Sequence, residues 1–333
     1  MAYTAGDTIL DDQYNVFATG NADGTGNNAV ANLNTIWGTG TGDYGYGETG
    51  STLSAVSAGS TITATQWETL VAKMENIAAH QGSTVTAVAT INAGDTITAV
   101  TTLSTDISTI WANRLDAAAS GATVTTDGTS QRTSQWAGTG GPQTVDTTQR
   151  ITFASADAAR YFFNAGGLVK MTFARSGGTA SDKNTEWADL CTKMGTITLS
   201  GAASHTVAGT AYTGTTQTAG QAGGAGSAKS TLDYHALTGS YQQLIIKYAD
   251  TAPYTANYIK VEALVSGATL DFRTTFVDDA ADTGNPVYPT ANTQILDVVD
   301  GTLSVNLSFV YPSATYLTNS PWGTPTMSTV DAL

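Results

Sequence analysis

Three segments in the last third of the chain alternate apolar and polar residues with a period of two. Ile259, Val261, Ala263 and Val265 share one face, Leu270, Phe272 and Phe276 a second, and Leu303, Val305, Leu307 and Phe309 a third. The opposite faces carry Lys260, Glu262, Asp271, Arg273, Ser304, Asn306 and Ser308. Clean alternation marks antiparallel strands with one wet face, because strands of parallel sheets are buried on both sides and read as continuous apolar runs. Ile151 and Phe153, then Val169, Met171 and Phe173, carry the pattern back to Gln149. One helix interrupts it, with Trp187, Leu190, Cys191 and Met194 at i, i+3, i+4 and i+7 and Gly195 as its stop. The pattern predicts an antiparallel β-sandwich or jelly-roll-like domain over residues 149–333, with one or two inserted helices.

Before residue 118 the period is that of a helix. The phrases Ala5-Gly6-Asp7-Thr8-Ile9, Ala58-Gly59-Ser60-Thr61-Ile62 and Ala93-Gly94-Asp95-Thr96-Ile97 are three copies of one motif, each a bend ahead of a helix. After the second copy, Trp67, Leu70, Val71, Met74 and Ile77 form an apolar stripe, with Thr65 and Glu68 as a capping box and Gly82 as the stop. After the third, Val100, Leu103, Ile107, Trp111 and Leu115 do the same, and after the first Val30, Leu33, Ile36 and Trp37 face inward. Residues 1–118 are therefore expected to form a small, mainly helical domain. Residues 119–148, almost wholly Ser, Thr, Gly, Gln and Asp, are expected to be a linker. The fold class is α+β.

Charge narrows the function classes. The chain of 333 residues has 13 Lys and Arg against 27 Asp and Glu, a formal charge of −14. No cluster of cations is available to displace counterions from phosphates, so no nucleic-acid partner is expected. Charged residues are 12% of the chain, and about 60 threonines make the polar surface one of hydroxyls. The single cysteine, Cys191, excludes an internal disulfide framework. The start of the chain lacks a basic and apolar leader, and no apolar run is long enough to span a membrane. A protein made in a cytoplasm with a surface suited to the outside is expected.

Chemistry-bearing constellations are weak. His80 lies in the last turn of its helix, where a cation complements the dipole, and His205 and His235 lie in Thr- and Gly-rich turns without a nucleophile elbow. Cys191 sits on an apolar stripe and reads as a buried small hydrophobe. The glycines at 40, 42 and 45 match a dinucleotide fingerprint in form, but a helix precedes them, so no cofactor is implied. The loop around them displays Tyr44 and Tyr46, which are candidate interaction residues. Asn21, Asp23 and Thr25 copy the front of an EF-hand loop, with Asn32 where the bidentate Glu belongs. Asp278, Asp279 and Asp282 are candidate calcium ligands on a loop, although Asp is also a common turn former. No carboxylate pair is tied to an aromatic cleft, so an envelope-degrading glycosidase has least support.

Several phrases carry a resemblance. They are residues 58–67 leading to Ala79-His80-Gln81-Gly82, Arg160-Tyr161-Phe162-Phe163-Asn164-Ala165-Gly166-Gly167, Arg175-Ser176-Gly177-Gly178, Lys183-Asn184-Thr185-Glu186-Trp187 and Val299-Asp300-Gly301-Thr302-Leu303. Together the chain resembles virion structural proteins of tailed phages, above all marine and cyanobacterial phages with contractile tails. The resemblance implies a multicopy, non-enzymatic particle component, located in the virion after synthesis in the host cytoplasm. Its partners would be other virion proteins and copies of itself, with no nucleic acid and no membrane. The alternative is a tail fibre, spike or adaptor that binds a host surface receptor.

Overall fold

The computed structural model describes residues 11–88, 100–137, 143–279 and 298–333. The first and third copies of the repeated motif and Asp282 lie outside them. Within them are six α-helices and thirteen strands, and all the pairings between strands are antiparallel.

The front of the chain is helical: α1 (Asp11–Thr19), α2 (Leu33–Trp37), α3 (Ala64–Gln81) and α4 (Val100–Ala112). In α3 the expected stripe is the buried one, with Trp67, Leu70, Val71, Met74 and Ile77 all inside. Its capping box is Thr63 with Gln66, not Thr65 with Glu68. The two pairs overlap with the same spacing, and the helix starts at the earlier one because Thr63 remains extended at φ −80°, ψ 153°. Gly82 closes the helix in the left-handed region at φ 71°. The second repeat copy forms a turn ahead of α3, with Gly59 at φ 76°. Val30, expected inside, is 37% exposed, because Asn32 caps α2 by accepting from the Thr35 N–H and the helix begins only at Leu33.

The rest forms two sheets and a small two-stranded ribbon. Sheet one runs β1 (Ser120–Arg132), β12 (Thr302–Pro312), β3 (Leu168–Ser176), β4 (Thr196–Leu199), β7 (Thr215–Thr218). Sheet two runs β13 (Thr326–Asp331), β2 (Thr144–Thr152), β11 (Thr269–Val277), β10 (Tyr258–Ser266), β9 (Gln242–Tyr248), β8 (Ala228–Lys229). The ribbon pairs β5 (His205–Val207) with β6 (Thr210–Tyr212). The segment 119–148 is thus not a linker. It supplies all of β1 and the first half of β2, and β1 pairs with β12 from Ser120↔Pro312 to Arg132↔Leu303. Its Thr-rich composition suits an edge strand, because β-branched side chains favour extended backbone and hydroxyls tolerate water.

The sheets make a sandwich-like body with inward faces as the alternation predicts. Val305, Leu307 and Phe309 from sheet one, and Ile259, Val261, Ala263, Leu270, Phe272 and Phe276 from sheet two, are all at most 1% exposed. The sheets approach each other along β1 and β13, while α6 (Asp182–Met194) touches β3 of one sheet and β9 and β10 of the other. This helix is a wedge. Its Trp187 ring lies 4.7 Å from that of Trp136 and 6.1 Å from that of Phe276. Burial of an aromatic cluster of this kind contributes several kcal/mol. The remaining helix, α5 (Ala156–Asn164), sets Phe162 against Phe153 and Phe309.

The helical front is not walled off from this body. Tyr14, Trp37, Trp67 and Met74 belong to the same continuous apolar cluster as Phe163, Trp187 and Phe309. Polar contacts cross the same boundary: the buried Glu48 carboxylate accepts from the Asn319 backbone N–H at 3.0 Å and from its side chain at 2.6 Å.

Candidate functional site

Loop 38–47, expected to present Tyr44 and Tyr46 to a partner, is instead held against α5. Asn164, fully buried, donates through Nδ2 to the carbonyls of Gly42 at 3.2 Å, Tyr44 at 3.0 Å and Gly45 at 3.1 Å. Arg160 donates to the Tyr44 carbonyl and, at 2.7 Å, to that of Thr39. Tyr46 is 1% exposed, its hydroxyl donating to the Arg114 carbonyl at 2.7 Å and accepting from Gln81 Nε2 at 2.9 Å. Burial raises its pKa above the usual phenol range. Tyr44 is half-buried, between the Trp111 ring at 4.5 Å and the Arg114 guanidinium at 4.1 Å. The tight path needs glycine at position 45, where φ is 92° and a Cβ would fall 2.1 Å from the Thr39 carbonyl oxygen.

Beside this loop runs an open polar groove in two lobes that share Leu115. One, of about 430 Å³, is lined by Asp43, Ala203, Asp233 and His235, and the other, of about 390 Å³, by Arg114, Asp116, Ser204 and His205. Its carboxylates already serve the fold. Asp43 pairs with Arg114, Asp116 accepts from the Thr206 N–H at 2.7 Å, and Asp233 accepts from the Ala236 N–H at 2.9 Å. His235 Nε2 meets Asn164 Oδ1 at 2.8 Å. Such a groove offers shallow hydrogen-bonding contacts to a polar partner.

The three histidines share one electrostatic character. His80 is 1% exposed and its Nε2 lies 3.1 Å from the Ala165 carbonyl, so it carries its proton there as a neutral ring. Burial pushes its pKa down to about 4, which corrects the expectation of a cation at the helix end: desolvation outweighs the dipole. Burial also lowers His205 and His235. An unfolded histidine titrates near 6.5, so between that pH and about 4 the unfolded chain takes up a proton that folded His80 refuses. Stability is then full above about pH 6.5 and falls as pH drops, with about 3 kcal/mol at stake from His80 alone. Urea midpoints are expected to fall steeply from pH 7 to 4.5. In His80→Gln, whose amide can keep the bond to Ala165, the slope should be shallower. A midpoint level across that window would contradict a buried neutral His80.

Cys191 is buried on α6 as expected, its thiol pushed up to about 12 by desolvation. Asn32 is the α2 cap, and Asp23 is engaged with the Thr25 N–H at 2.9 Å and hydroxyl at 2.7 Å. Of the calcium candidates, Asp278 is fully buried against Lys183 Nζ at 2.7 Å, while Asp279 is exposed and bonds through its backbone to Asn257 Oδ1.

The residues that the sequence marks as phrases converge. Arg175 Nη2 donates to the Asp300 carbonyl at 2.6 Å, and the Asp300 carboxylate accepts from the Thr179 N–H and from Asn184 Nδ2. Asn184 Oδ1 returns a bond from the Asp300 N–H at 3.1 Å. Hydrogen bonds led by that from Thr179 hold the Asp300 carboxyl below its ordinary pKa. Gly178, at φ 75°, leaves room for this knot, since a Cβ there would lie 2.4 Å from Asp300 Oδ1.

Sequence reasoning missed one cluster. Glu186 and Asp189 on α6 meet Asp250 after β9, one carboxylate oxygen from each lying within 4.8 Å of the others. Lys193 bridges Asp189 and Asp250, the latter at 2.5 Å. The i, i+3 spacing on α6 is visible in the sequence, but Asp250 arrives from a distant loop. Compared with known protein families, characterised proteins and solved structures, the chain has no significant match.

Proposed function

We propose that the chain is a non-enzymatic structural component of a phage virion, present in many copies and holding or decorating particle parts through protein–protein contacts. One observation carries the reading. The phrases that give the chain its resemblance are spent on internal closure: Arg160 and Asn164 clamp loop 38–47, and Arg175, Asn184 and Asp300 knot β3, α6 and β12 together. Groups locked into carbonyls and caps serve rigidity, which a repeated building block needs, and leave little chemistry to spare.

The exterior fits the same reading. Among the described residues the exposed large hydrophobics are Val30, Tyr316 and Val330, scattered along the chain. Contacts between copies would then be made by hydroxyls, amides and strand edges. A jelly-roll-like path through the two sheets belongs to this proposal, as do localisation in the virion and partners among virion proteins. Immunogold labelling of purified particles is expected to decorate them at many positions, and unlabelled particles would defeat the proposal. The polar groove beside Asp233 and Asp116 favours a second reading, an adaptor that touches a host receptor. Saturable binding of the purified chain to host cells, lost on substituting groove residues, would select it.

A further inference from the structure

Glu186 is 5% exposed, yet its Oε1 has no hydrogen-bond partner and is sealed from solvent. A buried carboxylate oxygen without a partner is costly and calls for a compensating group. The neighbours are Asp189 and Asp250, with side chains 39% and 42% exposed, and the Lys193 ammonium that those two share. Three carboxylates around one ammonium leave two negative charges over. Their ligand oxygens lie within 4.8 Å of one another, a span bridged by one calcium ion with oxygens on opposite sides at about 2.4 Å. Asp189 and Asp250 give the ion an approach from water, and Glu186 would be its inner ligand.

We propose that Glu186, Asp189 and Asp250 bind one calcium ion, which takes the place of the Lys193 ammonium and fastens α6 to the segment after β9. The assignment goes beyond the virion reading and stands without it. A carboxylate-only site on hard oxygens suits calcium better than zinc or copper, which prefer nitrogen and sulfur. Lys193 acts as the built-in competitor: it keeps the cluster paired when calcium is scarce.

The test is calorimetric titration of the full chain with CaCl2 after EDTA treatment and buffer exchange, paired with thermal melts. One saturable site per chain is expected, in the range of about 0.1–1 mM found for extracellular modules. Glu186→Gln and Asp250→Asn should each weaken binding at least tenfold, and Lys193→Met should tighten it. Asp250 is on the surface, so its variant answers the question even where Glu186→Gln fails to fold. Asp279→Asn should leave affinity unchanged. Absence of saturable heat, equal binding of MgCl2, or wild-type affinity in both carboxylate variants would overturn the assignment.

Discussion

Asp278→Ala is expected to lower the stability of the fold by about 4 kcal/mol, measured by urea denaturation, because it removes a buried carboxylate that is hydrogen-bonded to the buried Lys183 ammonium. Both side chains are wholly buried and 2.7 Å apart, on the segments that also carry Trp187 and Phe276. Breaking a buried pair by removing one member generally costs more than replacing both members with apolar residues of similar volume. Lys183→Met combined with Asp278→Leu should therefore cost less than the two single losses added together. The double-mutant cycle is expected to give a coupling of at least about 2 kcal/mol. Additive losses would mean that the pair does not act as a unit. The same cycle separates an ion pair from a metal site, since an Asp278 that held calcium would lose stability only in calcium-containing buffer.

The second large effect belongs to Asn164. Asn164→Leu keeps the branched shape but removes the donor that serves three carbonyls of loop 38–47, and should cost about 3 kcal/mol. Asn164→Asp turns a carboxylate toward the same carbonyls and should cost at least as much. The loop is also expected to become the first site of protease cleavage in both variants, as a segment freed from its anchor opens locally. Wild-type resistance in Asn164→Leu would shift the anchoring role to Arg160.

What the sequence makes legible is local. The stripe and stop of α3 need only residues within one helix, and so do Trp187, Leu190, Cys191 and Met194 of α6, all of which are buried. The inward faces of β10, β11 and β12 are equally plain, because alternation reports a face without naming the neighbour, although Asp271, expected on the wet face of β11, is buried under Arg150. The partner-dependent features stay hidden. β1 is polar and looks like a linker until β12 lies beside it. Tyr46 looks exposed until Gln81 and Arg114 close over it. His80 reads as a helix-end cation because nothing nearby in the sequence announces the burial that keeps it neutral. The acidic cluster on α6 becomes visible only when Asp250 is brought in from the loop after β9.

Strand β12 sits between β1 and β3, although it follows both far along the chain. As the ribosome delivers residues in order, β1 and β3 emerge with facing edges and nothing to join them. Sheet one can be zipped only when residues 302–312 arrive, so final folding is a late, non-local event that proceeds slowly. A nascent chain halted short of that strand would offer two open edges to other nascent chains, and its fate would be a precipitate or a chaperone.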